Sequence, residues 1–210
     1  IRAEKAGFDG VELHGAHGYI LCQFLSSEIN QRMDQYGGEF ANRSRLLREI
    51  IQGIRDSCSA TFVLGVRLSP ERFGMQLSEI KELAQSLMTE GDIDFLDMSL
   101  WDVFKEPNEE EFQGKTLLAH FAELERGNVK LGVAGKITNP NEAETIIAQG
   151  VDWIMLGRAA ILHHNFPNLH LADADFIPVQ LPVTKSHLHN EGLSNKFVEY
   201  MRGWDGFISD

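Results

Sequence analysis

The strongest constraint in this sequence is a rhythm: a short apolar run, then a stretch with helical spacing, five times in succession. The first run is Phe8 to Leu13, and a helix is expected over Ala41–Asp56, where Leu47, Ile50, Ile51 and Ile54 share one face. The second run, Thr61 to Leu68, precedes a helix capped by Ser78 and closed by Gly91, with Ile80, Leu83, Ala84 and Leu87 turned inward. Ile93–Met98 is the third run, with a helix around Lys115–Arg126 behind it, and Val129–Ala134 is the fourth. Asn139-Pro140-Asn141-Glu142 joins a good N-cap, a proline suited to the first helical position and a glutamate able to close a capping box. That helix ends at Gly150, and the fifth run, Val151–Leu156, leads into Gly157-Arg158. Such alternation builds an α/β fold around a parallel sheet. The apolar runs imply strands covered on both faces.

The rhythm stops near Pro178. Pro178 and Pro182 mark a linker, and Ser194–Trp204 reads as one last amphipathic helix, so residues 1–177 form the βα portion and 178–210 a linker with a helical extension. A complete (β/α)8 barrel takes about 250 residues, rarely fewer than about 200. Five βα units in 210 residues therefore suggest a piece of a larger barrel. The opening Ile1-Arg2-Ala3-Glu4-Lys5 lacks the apolar core of a signal peptide and reads as the tail of a helix entered midway.

A formal net charge of −12 argues against nucleic acid or an anionic membrane as partner and fits a solvated acidic surface. Cys22 and Cys58 show no CxxC spacing, so a disulfide framework, a zinc knuckle and an iron–sulfur cluster are unsupported. Reduced thiols in a cytoplasmic protein are expected. No apolar run approaches the roughly 18 residues of a transmembrane helix.

Strand ends carry the chemistry in parallel α/β folds. The first strand runs straight into His14-Gly15-Ala16-His17-Gly18-Tyr19. Two imidazoles three residues apart among small residues can converge on one ligand atom; the alternatives are two structural histidines, or a metal site, for which HxxH supplies two ligands and no clear third. Arg32, Asp34 and Arg43 fit a structural loop held by charge-assisted hydrogen bonds. Arg67, at the mouth end of an otherwise apolar strand, is costly to bury unpartnered. It either faces an anionic ligand or pairs structurally, with Glu12 the candidate, which strand alternation places on the same side as His14. The last two strands end in Gly135-Lys136 and Gly157-Arg158, and the corresponding loops of many (β/α)8 barrels bind a phosphate.

These motifs read together resemble the old yellow enzyme family. The segment from Gly7 to Tyr19, then Asn30-x-Arg32-x-Asp34-x-Tyr36-Gly37-Gly38 and Asn42-Arg43, carry the resemblance, and Arg67-Leu68-Ser69-Pro70 and Leu156-Gly157-Arg158-Ala159 follow in the same order. The family includes NADH:flavin oxidoreductases, ene-reductases and 2,4-dienoyl-CoA reductases. The resemblance implies a (β/α)8 TIM barrel of which this chain supplies the last five βα units. It implies FMN as cofactor, NADH or NADPH as reductant and a small α,β-unsaturated carbonyl compound as substrate. His14 and His17 match the residues that bind the substrate oxygen, Tyr19 the proton donor, Arg67 the residue beside the flavin pyrimidine ring. Gly135, Lys136, Gly157 and Arg158 match the phosphate end. The tail beyond Pro178 has no match and suggests contact with a second subunit in a homo-oligomer. Three other readings stay open: an NADH oxidase that passes electrons to oxygen, a flavin-free phosphate-binding lyase or isomerase using Lys136, and a non-catalytic fragment with open sheet edges.

Overall fold

The computed structural model describes residues 1–209. In chain order the elements are α1 Arg2–Lys5, β1 Gly10–Gly15, α2 Ile20–Leu25, α3 Phe40–Arg43, α4 Arg45–Ser57, β2 Val63–Leu68, α5 Leu77–Glu90, β3 Phe95–Ser99, α6 Leu117–Ala122, β4 Lys130–Ala134, α7 Pro140–Ala148, β5 Trp153–Met155, α8 Arg158–Leu162 and α9 Phe166–Ala172. The tail adds β6 Val183–Thr184, α10 Lys185–Asn190, α11 Asn195–Met201 and β7 Ile208–Ser209. Strands β1 to β5 form one parallel sheet in sequence order, with β1 and β5 at its edges. The expected succession of five parallel βα units is what the chain builds.

The two faces of this sheet differ, which corrects the reading of uniformly apolar strands. One face presents Leu64, Val66, Leu68, Leu96, Met98, Leu131 and Val133 to Leu47 and Ile51 of α4, Ile80, Leu83 and Leu87 of α5, Phe121 of α6 and Ile146 of α7, in one buried cluster. Each such side chain contributes about 1.5–3 kcal/mol on burial. By alternation the other face carries Glu12 and His14, Gly65 and Arg67, Phe95, Asp97 and Ser99, Gly132 and Ala134, and Trp153 and Met155. Its floor is aromatic. A Cβ at Gly65 would meet the Phe95 ring at 2.0 Å and one at Gly132 the Trp153 indole at 2.3 Å, and the two rings pack edge to face at 5.4 Å. Glycine here makes room for the neighbouring strand's ring.

Boundaries shift from the expected ones for physical reasons. β1 begins and ends two residues later than its apolar run, so His14 lies inside the strand. α5 starts at Leu77 rather than after Ser78, because the Glu109 carboxylate, from the segment after β3, caps the Leu77 N–H from across the fold. The expected Asn139 cap is present: its side chain accepts from the Glu142 N–H at 3.0 Å. Glu142 reaches back one residue further than a capping box requires, to the Thr138 N–H at 2.7 Å. The expected tail helix is α11, capped by Ser194, but α10 and the β6–β7 parallel pair also fold there. Their small core of Val183, Leu188, Val198, Met201 and Phe207 includes Leu162 of α8.

Candidate active site

β1 delivers the first group of side chains. His14 pairs in register with Arg67, which in turn pairs with Asp97 on β3, so the three form one layer across the sheet. Beyond β1 the chain turns through His17 (φ 59°) and Gly18 (φ 74°), and the His17 N–H donates to Ser69 Oγ at 3.1 Å. This left-handed turn brings the rings together: His14 and His17 lie 5.1 Å apart between centroids, and His14 and Tyr19 5.4 Å. Desolvation pushes the His17 imidazolium below its ordinary range, and the nearby Arg67 and His14 add to the effect. His17 is therefore neutral at neutral pH, with one nitrogen donating and the other accepting. The Asn30–Arg43 loop is structural: Arg32 pairs with Asp34, whereas the buried Arg43 donates to the Gly38 carbonyl at 2.9 Å and to Glu79 on α5 at 3.0 Å.

Arg67 has a different partner from the one expected. Its Nε donates to Ser99 Oγ at 2.7 Å and stands 3.6 Å from Asp97 Oδ2, while Glu12 acts on Asp97 instead. Ser99 and Asp97 thus grip one side of the guanidinium, and its terminal amino groups have no partner among the described residues. Asp97 is fully buried and neither of its oxygens accepts a hydrogen bond. Desolvation pushes its carboxyl up to about 7; the attraction of Arg67 opposes this and the proximity of Glu12 adds to it.

The expected phosphate end lies at the tips of β4 and β5. Gly135 (φ 154°) packs against backbone, where a Cβ would fall 2.9 Å from Asp102 N and Trp101 C. Lys136 (φ 51°) donates to Asp102 Oδ2 at 3.0 Å. Gly157 opens α8, and a Cβ there would meet nothing within 4 Å. Arg158 approaches Trp204 of the tail, 5.9 Å from its ring centroid, and forms no ion pair among the described residues. The Arg158 and Ala159 N–H groups, in the first turn of α8, have no acceptor among the described residues, as first-turn donors do when a ligand or water is to satisfy them.

One cavity of about 800 Å³ joins these parts, a size typical of cofactor and small-molecule sites. Its walls run from His17, Arg67 and Ser69 past Ser99 and Trp101 to Gly135, Lys136, Gly157 and Arg158. His14 and Tyr19 stand beside it, at the β1 edge, rather than in its wall. Arg72, Trp101 and His163 also line it without any sequence motif that marks them, and so does Pro178–Leu181, expected only as linker. His163 Nε2 accepts the Val179 N–H at 3.0 Å and docks that segment, and burial, reinforced by His187 and opposed by Glu191, lowers its affinity for a proton.

A parallel βα barrel segment with its ligand cavity at the C-terminal strand ends is the class defined by this fold and site. The chain belongs to the NADH:flavin oxidoreductase / NADH oxidase family, which it matches over residues 1–170. An NADH oxidase of Thermoanaerobacter brockii is 35% identical over 177 residues, covering 80% of this chain and 27% of that protein. An NADPH dehydrogenase of Halalkalibacterium halodurans is 37% identical over 171 residues, covering 80% and 49%. Among solved structures, morphinone reductase in complex with tetrahydroNAD superposes with a TM-score of 0.67 at 26% identity, over all of this chain and 53% of that one. Histamine dehydrogenase from Rhizobium sp. 4-9 gives 0.64 at 28% identity, over 82% and 26%. The chain thus spans about a quarter to a half of its relatives' length, and its five strands are part of a (β/α)8 barrel of the old yellow enzyme type. The family's cofactor is FMN, and its members are named after both NADH and NADPH. No helix among the described residues is long and apolar enough to cross a membrane.

Proposed function

We propose that the protein carrying this chain is an FMN-dependent, NAD(P)H-driven oxidoreductase that reduces the activated C=C bond of small α,β-unsaturated carbonyl compounds. The observation that carries this reading is the single cavity connecting His17 and Arg67 to the two glycine-basic turns. The residues present fit FMN: open space in front of Gly157, unsatisfied N–H groups at Arg158 and Ala159, and a guanidinium at Arg67 whose outer edge is free. Gly135, Lys136, Gly157 and Arg158 would hold the phosphate, and Arg67 the pyrimidine edge of the ring, where negative charge collects. Bound FMN supplies a hydride that it has taken from NAD(P)H.

The chain's own residues do the rest. His14 and His17 donate hydrogen bonds to the substrate carbonyl oxygen and stabilise the enolate that develops as the β-carbon receives hydride. The neutral state of His17 suits a donor that does not give up its proton. Tyr19, 5.4 Å from His14 between ring centroids, protonates the α-carbon from its phenolic oxygen. Ser69, accepting the His17 N–H, and Ser99, accepting from Arg67, keep both groups on station.

The Thermoanaerobacter relative's name favours one second reading, electron transfer to oxygen. The lyase reading is disfavoured, since Lys136 is ion-paired to Asp102 and 61% exposed, whereas a Schiff-base lysine needs a desolvated amine. Purified full-length protein should carry a flavin absorbance band that NADH or NADPH bleaches without oxygen. Recovery of the band on adding cyclohexenone supports the proposal. Recovery with oxygen alone favours the oxidase, and absence of the band removes both.

A further inference from the structure

We propose that Arg72, laid on the indole of Trp101 at the rim of the cavity, is a recognition site for a carboxylate or phosphate carried by the molecule that enters it. This rests on the reading above for the identity of that molecule, not for the anion site itself.

Arg72 belongs to the loop that follows β2. Three consecutive residues there, Arg72, Phe73 and Gly74, have φ of 71°, 54° and 71°, and Trp101 on the loop after β3 has φ of 65°. Bulky side chains rarely adopt this region and stay there only when their surroundings impose it. Those surroundings can be named. The Phe73 ring lies against Gly18, where a Cβ would fall at 3.0 Å, and a Cβ at Gly74 would strike Ser26 Oγ at 2.3 Å. Glu71 is buried, pairs with Lys105 and accepts the Asn108 N–H at 2.9 Å. Behind Trp101 the backbone packs on Gly135. The outcome is a guanidinium carbon 3.8 Å from the centroid of the Trp101 ring.

A guanidinium stacked through its face keeps its N–H donors in the plane, directed outward, which is the geometry that binds planar oxyanions in pairs. The Arg72 guanidinium has no ion pair or hydrogen bond among the described residues, although its backbone carbonyl accepts the Met75 N–H at 2.9 Å. The neighbouring acids cannot neutralise it, because Glu71 is held by Lys105 and Asp102 by Lys136. The cavity lining carries four cations, Arg67, Arg72, Lys136 and Arg158, against two carboxylates, Glu71 and Glu142, in a chain of net charge −12. The proposed function gives Arg67, Lys136 and Arg158 a place in holding the flavin and gives Arg72 none. Its loop touches the histidine turn through Ser69 and Phe73, so a bound anion would share one cavity wall with the proposed carbonyl site. Binding energy from a group that does not itself react is what orients the reacting one. The oxyanion has two possible sources: a carboxylate on the acceptor, or the 2′-phosphate of NADPH.

Two probe pairs differ only in that charge: 3-oxocyclohexene-1-carboxylate against cyclohexenone, and 2′,5′-ADP against 5′-AMP. Each is titrated into the full-length protein and its Arg72→Met and Arg72→Lys variants, with tryptophan fluorescence as the readout, so no turnover is needed. In Arg72→Met the preference for the charged member of one pair should fall about ten- to a hundredfold, the worth of a charged hydrogen bond. Arg72→Lys should lose most of it too, because an ammonium neither stacks flat nor binds bidentately. A loss confined to the carboxylate pair assigns the site to the acceptor; one confined to the nucleotide pair assigns it to the reductant. If Arg72→Met does not fold, Arg72→Lys and Trp101→Leu decide by the same ratios. Unchanged ratios in both pairs, in folded variants, overturn the proposal. Failure of the flavin reading shows separately, as protein without FMN, and leaves these titrations valid.

Discussion

Replacing Asp97 with asparagine should flatten the dependence of stability on pH. Asp97 is fully buried, faces Arg67 at 3.6 Å and Glu12, and keeps its proton up to about pH 7 in place of an ordinary 3.8. Between those values the folded state binds a proton that the unfolded state does not. Stability is therefore lost as pH rises through this window and levels off above it. One pKa unit corresponds to about 1.36 kcal/mol, so the window holds about 4 kcal/mol, of which about 3 kcal/mol lies between pH 5 and 8. Asparagine has nearly the same shape and does not titrate. Urea unfolding of flavin-free protein and variant, followed by tryptophan fluorescence at several pH values between 5 and 8, measures the difference. The Asp97→Asn curve can lie above or below the parent, but the gap must move in the variant's favour by about 3 kcal/mol from pH 5 to pH 8. Groups remote from Asp97 are common to both proteins and cancel. A constant gap across the range would refute the buried, protonated state of Asp97.

Arg43→Ala should cost about 3–5 kcal/mol in the same assay, since it strips the cation from a pair that is 4% and 21% exposed and leaves Glu79 uncompensated. Arg67→Ala and Arg158→Ala should each weaken FMN binding about ten- to a hundredfold, read by fluorescence titration of the apoprotein. Gly135→Ala should also lower FMN affinity, because its Cβ would force the Trp101–Asp102 backbone away from the cavity; unchanged binding would show that the turn has room. Acid should loosen the tail. His163 takes up a proton less readily than usual, so the stability it confers is present above about pH 6.5 and is lost below, as the proton displaces the Val179 N–H. Limited proteolysis should then cut near residues 175–182 faster at pH 5 than at pH 7.5.

The fold was legible because its signals are local. Apolar runs marked every strand of the main sheet to within a few residues, and Asn139-Pro140 and Ser194 marked helix starts that the structure keeps. What escaped is long-range. Leu77 starts its helix on a carboxylate 32 residues away, which no local pattern encodes. The apolar segment Ile20–Leu25 forms a helix without a side-chain cap, so it gave no start signal. At the site, glycine, histidine and arginine at strand ends were visible as motifs, whereas Asp97 sat unnoticed in an apolar run and was given meaning only by Arg67 and Glu12 on two other strands. The stack of Arg72 on Trp101 joins two loops and has no sequence signature. The tail's share of the cavity depends on a histidine bond across 16 residues.

The central claim is that His14 and His17 bind the substrate's carbonyl oxygen while other groups hold the flavin. Rapid mixing of a full-length His14→Ala, His17→Ala double variant tests it most directly, because the two half-reactions separate. The variant should stay yellow and be reduced by NAD(P)H. Its re-oxidation by cyclohexenone should fall by at least about 10²–10³, the usual effect of losing one such donor, while re-oxidation by oxygen changes little. Re-oxidation by cyclohexenone at the parent's rate would make the two histidines structural and contradict the account.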